Sequence, residues 1–244
     1  MKLKIQELLK KYNVKIDNIA QFGAHSGQEI EIFLNIANNN IYLFEPQKNA
    51  FNQLINKTHQ HKKISIYNFG LGSKNTNKSL FVDYENDGQS ASIYEPKMHL
   101  DIFPEISFKK REEIKIITFD SLKLKADLIC IDIQGAELDA LIGSHNSLQF
   151  TKCLVVEVSR EEFYKNQPSI KEIDNFLNKN NFMRVKTKWA ESGKFLYGDA
   201  FYIKRDIISN YEILLNNFKN IILDRRFVAV IKYFFSRVKF RLKI

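Results

Sequence analysis

Two glycines, a histidine and three carboxylates stand where strand-like runs end, and together they describe one kind of chemistry. Gly23-Ala24-His25-Ser26-Gly27 follows the apolar run from Ile16 to Phe22, a place where backbone can approach a ligand closely. Glu45 and Pro46 close the next apolar run, Ile41-Tyr42-Leu43-Phe44. A carboxylate at the tip of that strand can accept both hydroxyls of a ribose. Asp132 follows the run that starts at Asp127, and Glu157 lies near the end of Cys153 to Val158. A carboxylate or an imidazole beside a reacting hydroxyl can take its proton. The candidate proton acceptors are therefore Asp132, Glu157 and His25. The candidate nucleoside contacts are Gly23, Ala24, Gly27, Glu45, Pro46, Gly70 and Asp132. The five histidines show no metal-ligand spacing, so no metal is expected.

Helix-like and strand-like patterns alternate around these residues. Strands are expected up to Phe22, at 41–44, 64–69, 114–119, 127–133 and 153–158. Helices are expected from Ser26 to Asn38, with Ser26 and Glu29 as a capping box, then at 47–59, 136–144 and from Pro168 to about Asn178. Glu137 reads as a first-turn carboxylate that suits the helix dipole. Alternation of this kind predicts an α/β fold with a doubly wound, mostly parallel sheet. Phe182–Lys188 and Ala200–Lys204 are joined by a short connection, so they should pair antiparallel at the sheet's end. Asp199 reads as a residue that orders this hairpin. The irregular insertion at about 84–113, opened by the turn Asn86-Asp87-Gly88, should overhang the site. In it Tyr84, Tyr94 and His99, with the later Trp189, could offer faces for a sugar ring.

Composition narrows the field. Of 244 residues 44% are apolar, enough for a sizeable core. Cys130 and Cys153 lie in apolar runs and read as buried thiols on neighbouring strands. The first twelve residues carry Ile5, Leu8, Leu9 and Tyr12 at helical spacing with lysines between, which is not a signal peptide. No apolar run is long enough to span a membrane, so the cytoplasm is expected. Of the net charge of +9, the residues from Arg205 onward carry +6, nine basic against three acidic. The nearly balanced remainder argues against a nucleic-acid face.

Seven segments in order resemble the FkbM family of methyltransferases. They are Ile19 to Gln28, Phe44-Glu45-Pro46, Asn68 to Ser73, Ser90-Ala91-Ser92, Ile131 to Glu137, Val156-Glu157-Val158 and Gly198 to Phe201. The resemblance runs from about Asn18 to Lys204. It implies a class I, Rossmann-like methyltransferase fold with a seven-stranded sheet, S-adenosylmethionine as methyl donor, and O-methylation of a glycan or small-molecule hydroxyl. Gly23 to Gly27 is G-x-x-x-G and lacks the further glycine that a pyrophosphate would need, which agrees with a donor that has no phosphate. Two positions depart from the family: Gln21 stands where an acid is common, and His25 where asparagine is common. The acid's absence puts the contact to the methyl donor's amino group in question.

The expected organisation is a methyltransferase domain at 1–204 and a basic amphipathic helical tail at 205–244. In the tail Phe227, Val230, Ile231, Phe234, Phe235 and Val238 form one helical stripe, flanked by lysines and arginines. Such a helix can dock on the domain, on a second copy in a homo-oligomer, or on the inner face of an anionic membrane. Two other readings of the domain are a nicotinamide-dependent oxidoreductase with Glu45 on the ribose, and a nucleoside-binding module without catalysis.

Overall fold

The structure is a computed structural model that describes residues 3–83, 87–191, 194–209 and 212. The basic stripe of the tail, Tyr84, Asn86 and Gly193 lie outside the described residues. The strands are β1 (Ile19–Phe22), β2 (Ile41–Phe44), β3 (Ile64–Tyr67), β4 (Gly70–Leu71), β5 (Thr76–Val82), β6 (Lys110–Ile117), β7 (Leu128–Ile131), β8 (Cys153–Ser159), β9 (Phe182–Trp189) and β10 (Tyr197–Lys204). The helices are α1 (Ile5–Lys11), α2 (Ile30–Leu34), α3 (Lys48–Thr58), α4 (His99–Ile102), α5 (Glu137–Ile142) and α6 (Ile170–Lys179).

Seven strands form the main sheet in the order β3-β2-β1-β7-β8-β10-β9, all parallel except β10, which runs antiparallel to both neighbours. Every residue of β1 and β7 is buried, because helices cover both faces. Successive side chains take opposite faces. Ile19 joins Leu43, Cys130 and Phe33 of α2 in one core, and Ala20 and Phe22 join Ile131, Leu141 of α5 and Leu177 of α6 in the other. Cys130 and Cys153 are free, buried thiols on adjacent strands, and burial pushes both thiols' pKa upward. Among the described residues no helix is long and apolar enough to cross a membrane.

The chain leaves β3 and builds a second, three-stranded sheet, β4-β6-β5, before it returns to β7. β1 is thus the point where the sheet's winding reverses. Ligands of open α/β sheets sit beyond the carboxyl ends of the strands at this point. Phe22 is level with Phe44 on one side and Ile131 on the other, so the loops beginning at Gly23, Glu45 and Asp132 meet at one edge.

Four expectations change. The helix expected over Ser26–Asn38 is only Ile30–Leu34, because Gly27 takes φ +76° and holds the preceding residues in a turn. The capping box is absent: Glu29 itself is the N-cap, and its carboxylate accepts the Gln21 amide. The third strand stops at Tyr67, and Gly70–Leu71 leaves for the small sheet. β6 is continuous from Lys110 to Ile117, with no break at Glu113. Farther on, Pro168 precedes α6, whose cap is a Ser169–Glu172 capping box.

Candidate active site

Glu45 is the anchor of the first loop. Its side chain is buried, one oxygen accepting the His25 N–H at 2.7 Å and the other the Gln47 N–H at 2.8 Å. Each carboxylate oxygen has a second lone pair left over, which is what a pair of ribose hydroxyls requires. Gly23 and Ala24 both donate their N–H groups to the Phe44 carbonyl, which ties the turn to β2. Gly23 lies at φ +81°, and a Cβ there would stand 2.0 Å from the Asp132 carbonyl oxygen. Gly23, Glu45, Pro46 and Gly70 line one lobe of the crevice, completed by apolar side chains such as Leu80, Ile93 and Ile116. Ala24 and Gly27 do not line it. Ala24 is core, and the Cα–Cβ direction of Gly27 meets Ile30 and Leu54, so their part is to shape the turn.

A roof lies over this lobe. His25 Nε2 bonds the Asp87 carbonyl at 2.8 Å, and Gln47 Nε2 donates to the Gly88 carbonyl at 2.9 Å. His25 Nδ1 meets the Gln28 amide at 3.0 Å. Both ring nitrogens are therefore occupied, which corrects the reading of His25 as a proton acceptor: it is a latch between the turn and the roof. Beneath the roof the lobe holds only about 70 Å³, below the ~300 Å³ at which ligand clefts usually begin.

Asp132, Gln134 and Glu157 form the centre. Gln134 takes φ +53°, and its side-chain amide donates to Asp132 Oδ1 at 2.6 Å and Glu157 Oε2 at 3.1 Å. Its own carbonyls are held in turn. The Ser92 hydroxyl donates to the backbone oxygen at 2.6 Å. The Tyr164 phenol lies 3.0 Å from Oε1 and 2.8 Å from the Ser90 carbonyl, its single proton between them. Asp132 is reached by water although protein surrounds it. Burial among those walls and the charge of Asp199 raise its pKa, against the Gln134 amide. Water in the open crevice weakens that push, and a ligand that displaces the water would strengthen it.

Glu137 belongs to the scaffold. It is buried, and Oε1 accepts the N–H groups of Ile133 and Gly135, bracing the loop that carries Asp132 and Gln134. Burial lifts its pKa to about 7, as it does for Glu45. Between pH 4.5 and 7 the folded chain therefore keeps protons that the unfolded chain releases, so these groups make stability fall as pH rises. Glu137→Gln keeps both acceptor bonds and removes one titration. Thermal melts at pH 5 and pH 7.5 should differ less for this variant than for the parent, and an unchanged difference would refute the assignment.

The largest of the three lobes of this crevice, about 510 Å³, opens between Asp132, Gln134 and Glu157 and the insertion residues His99, Phe103 and Glu105. Phe163, Tyr164, Tyr197 and Gln167 complete its wall. His99 is buried in a box of Phe103, Phe108, Phe163 and Tyr164, its Nδ1 without a hydrogen-bond partner. Burial lowers its pKa to about 4, with Glu105 opposing, so the ring is neutral near pH 7. Other expected sugar faces are engaged elsewhere: Tyr94 donates to Asp139 at 2.8 Å, and the Arg160 guanidinium covers the Trp189 ring at 3.9 Å. Gln89 and Asp132 line the lobe beside Glu45, the large cavity and a third lobe alike, which makes them the junction of the crevice. Sequence reasoning passed over Gln89, Gln134 and Tyr164. The pair Gln134-Gly135 directly after a buried strand was the available signal, and the structure gives Gln134 φ +53°.

The residues that line the lobes suit S-adenosylmethionine in kind, and the lobe beside Glu45 must widen from its 70 Å³ to admit the nucleoside. Glu45 has acceptor capacity for its ribose, apolar walls suit its base, and Gln21, whose buried side-chain carbonyl lacks a partner, lines the third lobe. The comparisons agree with the geometry. The methyltransferase FkbM domain family matches residues 21–183, well over half of the chain. The 2-O-methyltransferase NoeI of Sinorhizobium fredii is 25% identical over 171 residues, covering 65% of this chain and 70% of that protein. The solved methyltransferase FkbM of Methylobacillus flagellatus superposes with a TM-score of 0.52 at 13% identity; the match covers 77% of this chain but only 43% of that one. Streptococcus pneumoniae Sp1610, a candidate tRNA (m1A22) methyltransferase, gives a TM-score of 0.50 at 12% identity over 100% of this chain and 89% of that one. These structural likenesses concern the fold alone. Neither a nicotinamide-dependent oxidoreductase nor a non-catalytic module is favoured, and the chain belongs to the FkbM family of S-adenosylmethionine-dependent methyltransferases.

Proposed function

We propose that this enzyme transfers a methyl group to a sugar hydroxyl of a glycan or related small molecule. The observation that carries the reading is the 510 Å³ cavity, which meets the nucleoside lobe at Asp132. Its wall mixes aromatic rings with the amides of Gln134 and Gln167 and the carboxylates of Glu105 and Glu157. Rings pack on the apolar face of a pyranose, and amides and carboxylates bond its hydroxyls. The likeness to an enzyme named as a 2-O-methyltransferase points the same way.

When bound, S-adenosylmethionine supplies a methyl carbon on a sulfonium. That methyl would pass to the acceptor oxygen, with the sulfur leaving as a neutral thioether. The hydroxyl proton goes to a carboxylate, Asp132 in our reading, with Glu157 on the acceptor side. Gln134 holds both carboxylates in place, and Glu45 fixes the ribose so that oxygen and carbon lie in line. Gly23, Pro46 and Gly70 frame the nucleoside, with Ala24 and Gly27 shaping the turn.

We take residues 1–204 as the catalytic domain of a cytoplasmic protein, and the basic sequence from Arg225 onward as one that can meet the inner face of an anionic membrane. Anionic vesicles would then sediment the full chain but not one ending at Asp224. The chemical test is transfer of labelled methyl from S-adenosylmethionine to glycan and lipid-linked glycan fractions of a lysate. Label in a methyl ether of a sugar supports the reading; label only in protein or nucleic acid overturns it.

A further inference from the structure

The third lobe of the crevice holds about 220 Å³ and is bounded by the ends of β1, β7, β8 and β10. Three carboxylates line it, Glu29, Asp132 and Asp199, and among the described residues no lysine or arginine does. A cluster of carboxylates proves little, since such clusters are often held apart by water. A second observation concerns Gln21. Its side chain is 5% exposed, Nε2 donates to Glu29 Oε2 at 3.0 Å, and Oε1 is buried without a hydrogen-bond partner. A buried carbonyl left alone is costly, and it calls for an N–H or O–H from whatever fills the lobe. The filler must also suit three negative charges.

The third lobe shares Gly23, His25, Gln89 and Asp132 with the nucleoside lobe, so one elongated ligand can occupy both. If the nucleoside lies against Glu45 and the sulfur near Asp132, the part of S-adenosylmethionine left for this lobe is its aminoacyl end. That end carries an ammonium, with three N–H groups and a positive charge.

We propose that Gln21 and Glu29 form a two-residue clamp for the ammonium of the methyl donor, with Asp199 as a further counter-charge. Gln21 has two tasks. Its amide nitrogen holds the Glu29 carboxylate toward the lobe, and its carbonyl accepts one ammonium hydrogen. Position 21 on the strand thus need not be acidic, because the charge enters from Glu29, eight residues on, where the turn meets α2. This also explains why Glu29, the N-cap of α2, makes no side-chain cap bond. The proposal rests on the reading of the nucleoside lobe as the adenosine site.

Titration calorimetry with two probes separates the clamp from that reading. S-adenosylhomocysteine carries the aminoacyl end; 5′-methylthioadenosine has the same nucleoside and thioether sulfur without it. The parent should bind the first more tightly. Glu29→Gln and Gln21→Met should each weaken S-adenosylhomocysteine by about tenfold or more, the scale of one lost charge-assisted hydrogen bond, and leave methylthioadenosine unchanged. The unchanged probe also shows that each variant is folded. Equal preference in parent and both variants overturns the clamp. Failure of both probes to bind the parent overturns the adenosine site instead.

Discussion

Asp132→Asn is expected to lower methyl transfer by about 10²–10³-fold, the usual worth of a placed proton acceptor. Asparagine keeps the shape and still offers Oδ1 to the Gln134 amide, so Gln134 and Glu157 stay in place. What disappears is the charge at the junction of the three lobes. The loss should fall on turnover and on binding of the cationic methyl donor, with a smaller effect on S-adenosylhomocysteine, which keeps the ammonium but has a neutral sulfur. Stability above neutral pH should hold or rise, because the raised pKa of Asp132 marks an ionised form that the fold disfavours. Initial rates of labelled-methyl transfer, set beside calorimetry, measure both sides. A variant within threefold of the parent rate would remove Asp132 from the chemistry.

Gly23→Ala should cost both the fold and the ligand. The residue must adopt φ +81° and would place its Cβ 2.0 Å from a backbone oxygen and 3.0 Å from Ile133 Cγ2. A side chain could rotate away, but the Asp132 carbonyl is fixed by its place just past β7, where the Asp132 N–H donates to the Phe22 carbonyl at 3.1 Å. Relief requires the turn and the end of β7 to part, which disturbs Glu45 through the His25 N–H and moves Asp132. A loss of about 3 kcal/mol is expected, from strain and the forced shift together. For a domain of this size that is a fall in Tm of about 6–12 °C. Binding of S-adenosylhomocysteine should be lost at the same time. A variant that melts with the parent and still binds would show that the turn has room to spare.

The strands that carry the site were legible because burial on both faces demands unbroken apolar runs, as in Leu128–Ile131 and Cys153–Val158. Gly23 and Glu45 were legible for a related reason: each directly follows such a run, and the sheet brings the two loops level. The long-range polar contacts were not legible. Gln134 is defined by Ser92, Tyr164 and Glu157, and no pattern along the chain links these positions. Glu29 misled for the same reason, since its spacing from Ser26 suits a capping box while its actual partner, Gln21, sits on a strand. His25 reads as reactive until the Asp87 carbonyl is seen against its ring.

The roof formed by Asp87 to Gln89 has a thermodynamic consequence. It is fastened by the His25 and Gln47 side chains above a space too small for a nucleoside, and Gln89 is a wall of the 510 Å³ cavity as well. On the proposed reading, a nucleoside enters only when the roof lifts, and that change reshapes the second chamber as well. Coupling of this sort is reciprocal: whatever factor the first ligand imposes on the affinity of the second, the second must return in equal measure.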